Sequence, residues 1–331
     1  LDYDQPLAEL QTLLASPEGR RLENGFRQQL PQLYDRLNWP GGEKLTRDLR
    51  DRSPNYILVR GIARGLAVLG LSEEMQGRPD AALGHYLAIL SWGERFTGRG
   101  LLIAEMIATA VETIGLERLL ALQTGTELTA EQYREILQAL EQPAFRPLNL
   151  SLSMEREMLS AIKFLELPDQ ERGRVESVFG LPLPRAYLRY EKVCLTNYYL
   201  ELLPSVRELS SRSFEQSRSS LSPLALVLVP NHERAVDQYR LLLTRLEAAR
   251  TVAALKLYRL ERGHYPQTLE ALVGPYLKTT PKAWIDPGGV FDYRRTASSF
   301  ELSCRSRALK VLGDDPPAST WSFYPYREQR G

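Results

Sequence analysis

Four glutamates on two predicted helices are the first candidates for chemistry in this sequence. They are Glu105 and Glu112 on a strongly apolar segment, and Glu155 and Glu157 on a later one. The spacing of the first pair places both side chains on roughly one helix face. Four carboxylates inside a helical bundle could bind two iron ions, but such sites also need Glu-x-x-His pairs, which this region lacks. We therefore expect these glutamates to pair with nearby arginines, such as Arg118 and Arg156, or to reach solvent.

Other side chains that could act as catalysts or ligands lack the neighbours that such chemistry requires. His85, His232 and His264 have no His or carboxylate partner at metal-ligand spacing, so we expect them at helix surfaces or turns. The sequence contains no Gly-x-Ser-x-Gly elbow, phosphate-binding loop, dinucleotide fingerprint or His-Glu-x-x-His motif. It therefore predicts no catalytic residue, no cofactor and no metal ligand.

Tyrosines and cysteines each leave two interpretations open. Tyr187, Tyr190, Tyr198 and Tyr199 could line a groove for a peptide or lipid, although aromatic side chains at helical spacing are more typical of a core. The two cysteines, Cys194 and Cys304, are too few for a zinc site or a disulfide framework. Two separate thiols are the favoured interpretation, and a single bridge in an oxidising compartment is the alternative.

Composition excludes some classes of partner. A composition of 43% hydrophobic and 25% charged residues suits a globular protein, and a length of 331 residues suits two domains or one elongated helical domain with a small one. The net charge is +1 and acidic and basic residues are interleaved, so we expect no nucleic-acid partner. No stretch of about 20 apolar residues is present, as a membrane-spanning helix would need. Because the chain begins at Leu1 without methionine, we expect an upstream signal or anchor to have been removed.

The elements that would position these residues are mainly helices. A helical pattern runs from Leu7 to about Leu37, with a break near Ser16-Pro17, and a second helix should follow Ser53-Pro54. That helix and the next, which opens after Gly77, resemble one tetratricopeptide unit through small and aromatic residues at the repeat's spacing. These residues are Leu69, Gly70, Gly77, Ala82 and Tyr86.

Further helices are predicted along the chain. Their ranges are 101–122, 129–141 (opened by a capping box of Thr129 and Gln132), 151–165 and 185–203, with a serine-rich linker at 205–222. The longest helix should run from His232 to Arg262, because apolar residues recur there at steps of three and four. Gly263 should end it.

The end of this helix carries a recognisable pattern. The run from Ala254 to Pro266 closes with Gly-His-Tyr-Pro and is followed by Thr268-Leu269 and Leu272. Turn and strand signals then follow in order: Pro281, Asp286-Pro287, 291–294, 300–302 and 313–315. This stretch resembles the globular part of a type II secretion major pseudopilin. Residues 224–305, with the helical hairpins before them, also resemble uncharacterised membrane-anchored proteins of planctomycete-type bacteria.

The resemblance implies a fold and a location. We expect strands near 290–294 and 300–304, with a third from 321–324, packed against the long helix. Major pseudopilins can bind calcium in a C-terminal loop, but Asp314-Asp315 is followed here by two prolines, and two carboxylates fall short of calcium's six to eight oxygens. A solvated acidic turn is the favoured interpretation. A helical region of over 200 residues precedes the long helix, so we do not expect polymerisation as a pilus subunit.

Together these patterns predict a mainly α protein. An irregular, tetratricopeptide-like helical-hairpin domain (1–222) should precede a pseudopilin-like α+β module (223–331). The expected function is that of a non-enzymatic, exported, membrane-tethered protein-interaction or structural subunit of a cell-envelope assembly on the periplasmic side of a bacterial membrane. Its partners would be other proteins, and the membrane would be reached through a segment absent from this chain. The alternative is a small-ligand carrier or enzyme with a pocket lined by Tyr187, Tyr190, Tyr198 and the 101–122 helix.

Overall fold

A computed structural model describes most of the chain. The described residues are 12, 14–38, 56–95, 97, 100–141, 147–166, 184–209, 221–222, 225, 232–286, 288–296, 298–304 and 310–312. They contain eight α-helices: α1 Pro17–Asn38, α2 Tyr56–Met75, α3 Pro79–Glu94, α4 Leu102–Gly125, α5 Ala130–Leu140, α6 Pro147–Leu165, α7 Arg185–Arg207 and α8 His232–Arg262. They also contain three strands, β1 Asp292–Arg295, β2 Phe300–Ser303 and β3 Lys310–Leu312, and a 3₁₀ turn, Leu269–Leu272. The protein is therefore mainly α with a small β-sheet, as predicted.

The chain forms two compact units that interleave in sequence. Unit 1 comprises residues 1–95, 107–143 and 241–331, and unit 2 comprises 96–106 and 144–240. The predicted boundary after residue 222 lies inside unit 2, and α8 contributes residues to both units. The division into a helical domain and a C-terminal module stays a prediction.

In unit 1, α2 and α3 form a tight helical hairpin. A Cβ built at Gly70 would lie 2.2 Å from Cε1 of Tyr86, so the ring occupies the space that any larger residue at 70 would need. Gly77 makes the turn with φ +70, a conformation that favours glycine. Ala82 and Tyr86 are both fully buried. The small residues that the sequence pattern singled out therefore allow the close approach of these two helices.

The middle of α8, from 248 to 257, is buried on nearly all sides within unit 1. Ala248, Ala249 and 251–257 are buried, whereas the sequence predicted a single apolar stripe. The difference arises because small alanines let neighbours approach from several directions. Gln123 of α4 donates to the Ala249 carbonyl (3.3 Å), and Thr244 Oγ1 accepts from the Ile285 amide (3.0 Å).

The three strands form an antiparallel sheet in the order β1-β2-β3. In β1 and β2, Asp292 faces Ser303 and Arg295 faces Phe300, close to the predicted hairpin. The described third strand is β3 rather than residues 321–324, which lie outside the described residues. Tyr265 links the end of α8 to the sheet, because its ring packs edge-on against Phe300 with centroids 5.0 Å apart.

In unit 2, α6 and α7 run antiparallel. Ion pairs join Glu155, in the middle of α6, to Arg207 at the end of α7 (2.7 Å), and Glu166, just after α6, to Lys192 in the first half of α7. α7 continues to Arg207, four residues beyond its predicted end, because Leu203 and Val206 are buried and keep the turn in contact with the core.

Local signals set several helix ends. α6 starts at Pro147, earlier than predicted, since proline is well tolerated in a first helical turn. The capping box of Thr129 and Gln132 is present at the start of α5. α8 has the predicted bounds, and Gly263 follows it with φ +78 while donating to the Arg259 carbonyl (2.8 Å). Ser53-Pro54 and residues 313–315 lie outside the described residues.

Candidate functional site

The four glutamates have four different environments. In unit 2, Glu105 is fully buried and accepts a long hydrogen bond from Ser153 (3.4 Å). Glu157 accepts from the backbone amide of Leu102 (3.2 Å), the first residue of α4, where a carboxylate stabilises exposed N–H groups. Burial raises the pKa of Glu157, and this hydrogen bond partly offsets the effect. Glu157 thus acts as a helix cap supplied by another helix.

The other two glutamates do not complete a metal site. Glu112, in unit 1, is 1% exposed and its Cγ would lie 2.4 Å from a Cβ at Gly93, so it packs against the backbone of α3. Glu155 pairs with Arg207. Within the described ranges, no group of three or more His, Cys, Asp or Glu side chains is placed to hold a metal ion.

The expected arginine partners are partly revised. Arg118 pairs with Glu74 (3.5 Å), a residue that the sequence analysis did not single out. The sequence also predicted that the glutamates could reach solvent. This is wrong for Glu105 and Glu112, which are buried. The apolar helix α4 accommodates these carboxylates because Ser153 donates a hydrogen bond to Glu105 and because Gly93 has no side chain where Glu112 packs.

The tyrosines of α7 divide between two faces. Tyr198 and Tyr199 are buried, and Tyr198 shares a hydrogen bond with His232 Nδ1 (2.9 Å). The Tyr199 ring stands edge-on to His232, and its buried hydroxyl has no hydrogen-bond partner among the described residues. Tyr190 instead points outward and is 60% exposed. His232 is thus part of a core aromatic cluster rather than the expected helix surface.

A buried ionic network in unit 1 was missed by sequence reasoning. Glu73, 3% exposed, pairs with Arg78 and with Arg27 of α1 (2.5 Å), and Arg27 also pairs with Glu23 (2.6 Å). Burial raises the pKa of Glu73, but hydrogen bonds from the two arginines outweigh burial and hold the pKa below its usual value. The sequence feature that could have indicated this network is the Glu73-Glu74 pair next to the Gly77 turn. This network joins α1 to the hairpin and has a structural role.

The remaining candidate is a surface. The α7 face, as we name it, consists of six exposed residues at steps of four and three: Ala186, Tyr190, Val193, Asn197, Leu200 and Pro204. Tyr190, Val193 and Leu200 are 58–60% exposed, although the opposite side of the same helix is buried. Leu159 of α6, one turn after Glu155, is also 60% exposed.

Neither cysteine is joined in a disulfide within the part of the chain that the structure describes. Cys194 is half-buried beside the α7 face, and Cys304 is buried at the end of β2. The favoured interpretation of two separate thiols is therefore confirmed.

Comparison with known proteins gives no relative. No family model, curated protein or solved structure matches the chain. The resemblance to pseudopilins and to planctomycete-type proteins therefore stays a prediction. None of the helices in the described part of the chain is long and apolar enough to cross a membrane.

Proposed function

We propose that this chain is a non-enzymatic protein-interaction or structural subunit of a cell-envelope assembly, exported and tethered to a bacterial membrane. The observation that carries the proposal is the α7 face. Three large apolar side chains stand well over half exposed along one helix of a well-packed unit. Scattered apolar residues are normal on protein surfaces, but an aligned apolar stripe is typical of an interaction site.

The contacts of the acidic residues support the same proposal. Glu73 and Glu155 form ion pairs with arginines, and Glu157 caps a helix. Each of these carboxylates therefore has a structural task. The export and the membrane tether rest on the resemblance of the C-terminal sequence pattern, as set out above.

The test is purification of the tagged full-length protein from membranes of its native host. We expect envelope proteins to co-purify with the wild type in fixed proportion and to be lost from a Tyr190→Glu, Leu200→Glu double variant. A control is Leu260→Glu, which places one such charge on an apolar residue of α8 in unit 1 that is exposed to a similar extent (55%), and each single variant, Tyr190→Glu and Leu200→Glu, is compared with it. The control should retain the partners.

Two results would contradict the proposal. One is a protein that purifies alone from native membranes under mild detergent. The other is a set of partners that survives the double variant while thermal unfolding shows that the variant is folded.

The alternative of a small-ligand carrier or enzyme draws support from the aromatic cluster of unit 2. The buried Tyr199 hydroxyl beside Tyr198 and His232 would offer a hydrogen-bonding group to a bound molecule. Native mass spectrometry of protein purified without denaturation distinguishes the two. A persistent extra mass that is lost in Tyr199→Phe would favour the carrier, and a bare chain would favour the interaction subunit.

A further inference from the structure

We draw no further inference here: the strongest candidate, the exposed apolar surface that Tyr190, Val193 and Leu200 form on the α7 face of unit 2, carries none, because nothing in the structure shows what covers it.

Discussion

Individual buried charges determine where this protein is sensitive to substitution. Glu73 is the clearest case, because it lies at the centre of a network that joins α1 to the hairpin of α2 and α3. Breaking a buried ion pair by removing one partner costs far more than losing an exposed pair, since the other charge is left without compensation. The network is therefore the site in unit 1 where a single isosteric change should be most informative.

Glu73→Gln should lower the free energy of unfolding by about 1–2 kcal/mol at neutral pH, because Arg27 keeps its ion pair with Glu23 and half of the Arg78 side chain is exposed. The pKa of Glu73 is lowered in the folded state, so its contribution is present above the ordinary value of 4.5 and is lost as pH falls through the folded pKa. The difference between wild type and variant should therefore shrink in acid. Urea unfolding at several pH values measures this. Glu131→Gln, at a side chain 87% exposed, should change stability little, and an equal loss there would refute the role of burial.

For Lys256 we expect the opposite effect of substitution, because removing this buried charge should stabilise the protein. Burial and, after it, the charge of Arg259 lower the pKa of Lys256 from 10.5 to about 8, with Glu127 partly offsetting both. Between these two pH values the unfolded chain binds more protons, so this group makes the wild type more stable as pH rises. Below pH 8 its cost is on the order of 3 kcal/mol.

Lys256→Met should therefore be at least as stable as wild type below pH 8 and lose that relative advantage by pH 10.5. Chemical unfolding of both proteins across this range is the measurement. Lys163→Met, at an exposed position of α6, should show no such trend. A constant difference between Lys256→Met and wild type would contradict a depressed pKa at this position.

At the scale of elements, the packing of α2 against α3 can be tested at one glycine of α2, with a second glycine of the same helix as the control. Gly70 and Gly61 both lie in α2, but a Cβ at 70 would meet the Tyr86 ring, whereas nothing lies within 4 Å of one at 61. The same substitution should therefore have opposite effects at the two positions, one through packing and one through helix propensity.

Gly70→Ala should destabilise the protein by about 1–3 kcal/mol, because the ring must shift within a packed core. Gly61→Ala should stabilise it by about 0.5–1 kcal/mol, because alanine loses less backbone entropy than glycine on entering a helix. Thermal unfolding of both variants measures the contrast. If both shift the melting temperature in the same direction, the close contact between α2 and α3 is not as described.

At the scale of the whole molecule, buried tyrosines should set the alkaline limit of stability. Burial raises the pKa of both Tyr265 and Tyr293 from 10.0 to about 12, and it also raises that of Tyr133. Between these values the unfolded tyrosines lose their protons while the folded ones keep them. Stability must then fall with rising pH.

We expect the free energy of unfolding to decline from pH 10.0 to about 12, and Tyr265→Phe to reduce that decline. Tyrosinate absorbance followed together with circular dichroism measures ionisation and unfolding in one titration. Ionisation of these tyrosines at their ordinary pKa while the fold persists would show that they are accessible to water.

Much of the fold was determined by the sequence alone, because the relevant signals are local. The bounds of α8, its end at Gly263 and the capping box at Thr129 depend on apolar periodicity, on backbone conformations that favour glycine and on side chains a few residues apart. The small residues of the α2 and α3 hairpin are also neighbours in sequence. Such features do not depend on what the rest of the chain does.

The tertiary structure decided what distant residues do. Glu157 caps α4 from another helix, and Glu73 meets Arg27 from α1, neither of which spacing along the chain reveals. Sequence periodicity also could not distinguish the buried Tyr198 from the exposed Tyr190, because either side of α7 is apolar enough to face a core. Burial and ion pairing depend on which segments meet in three dimensions. For this chain those segments alternate between two units, so local pattern could not assign them.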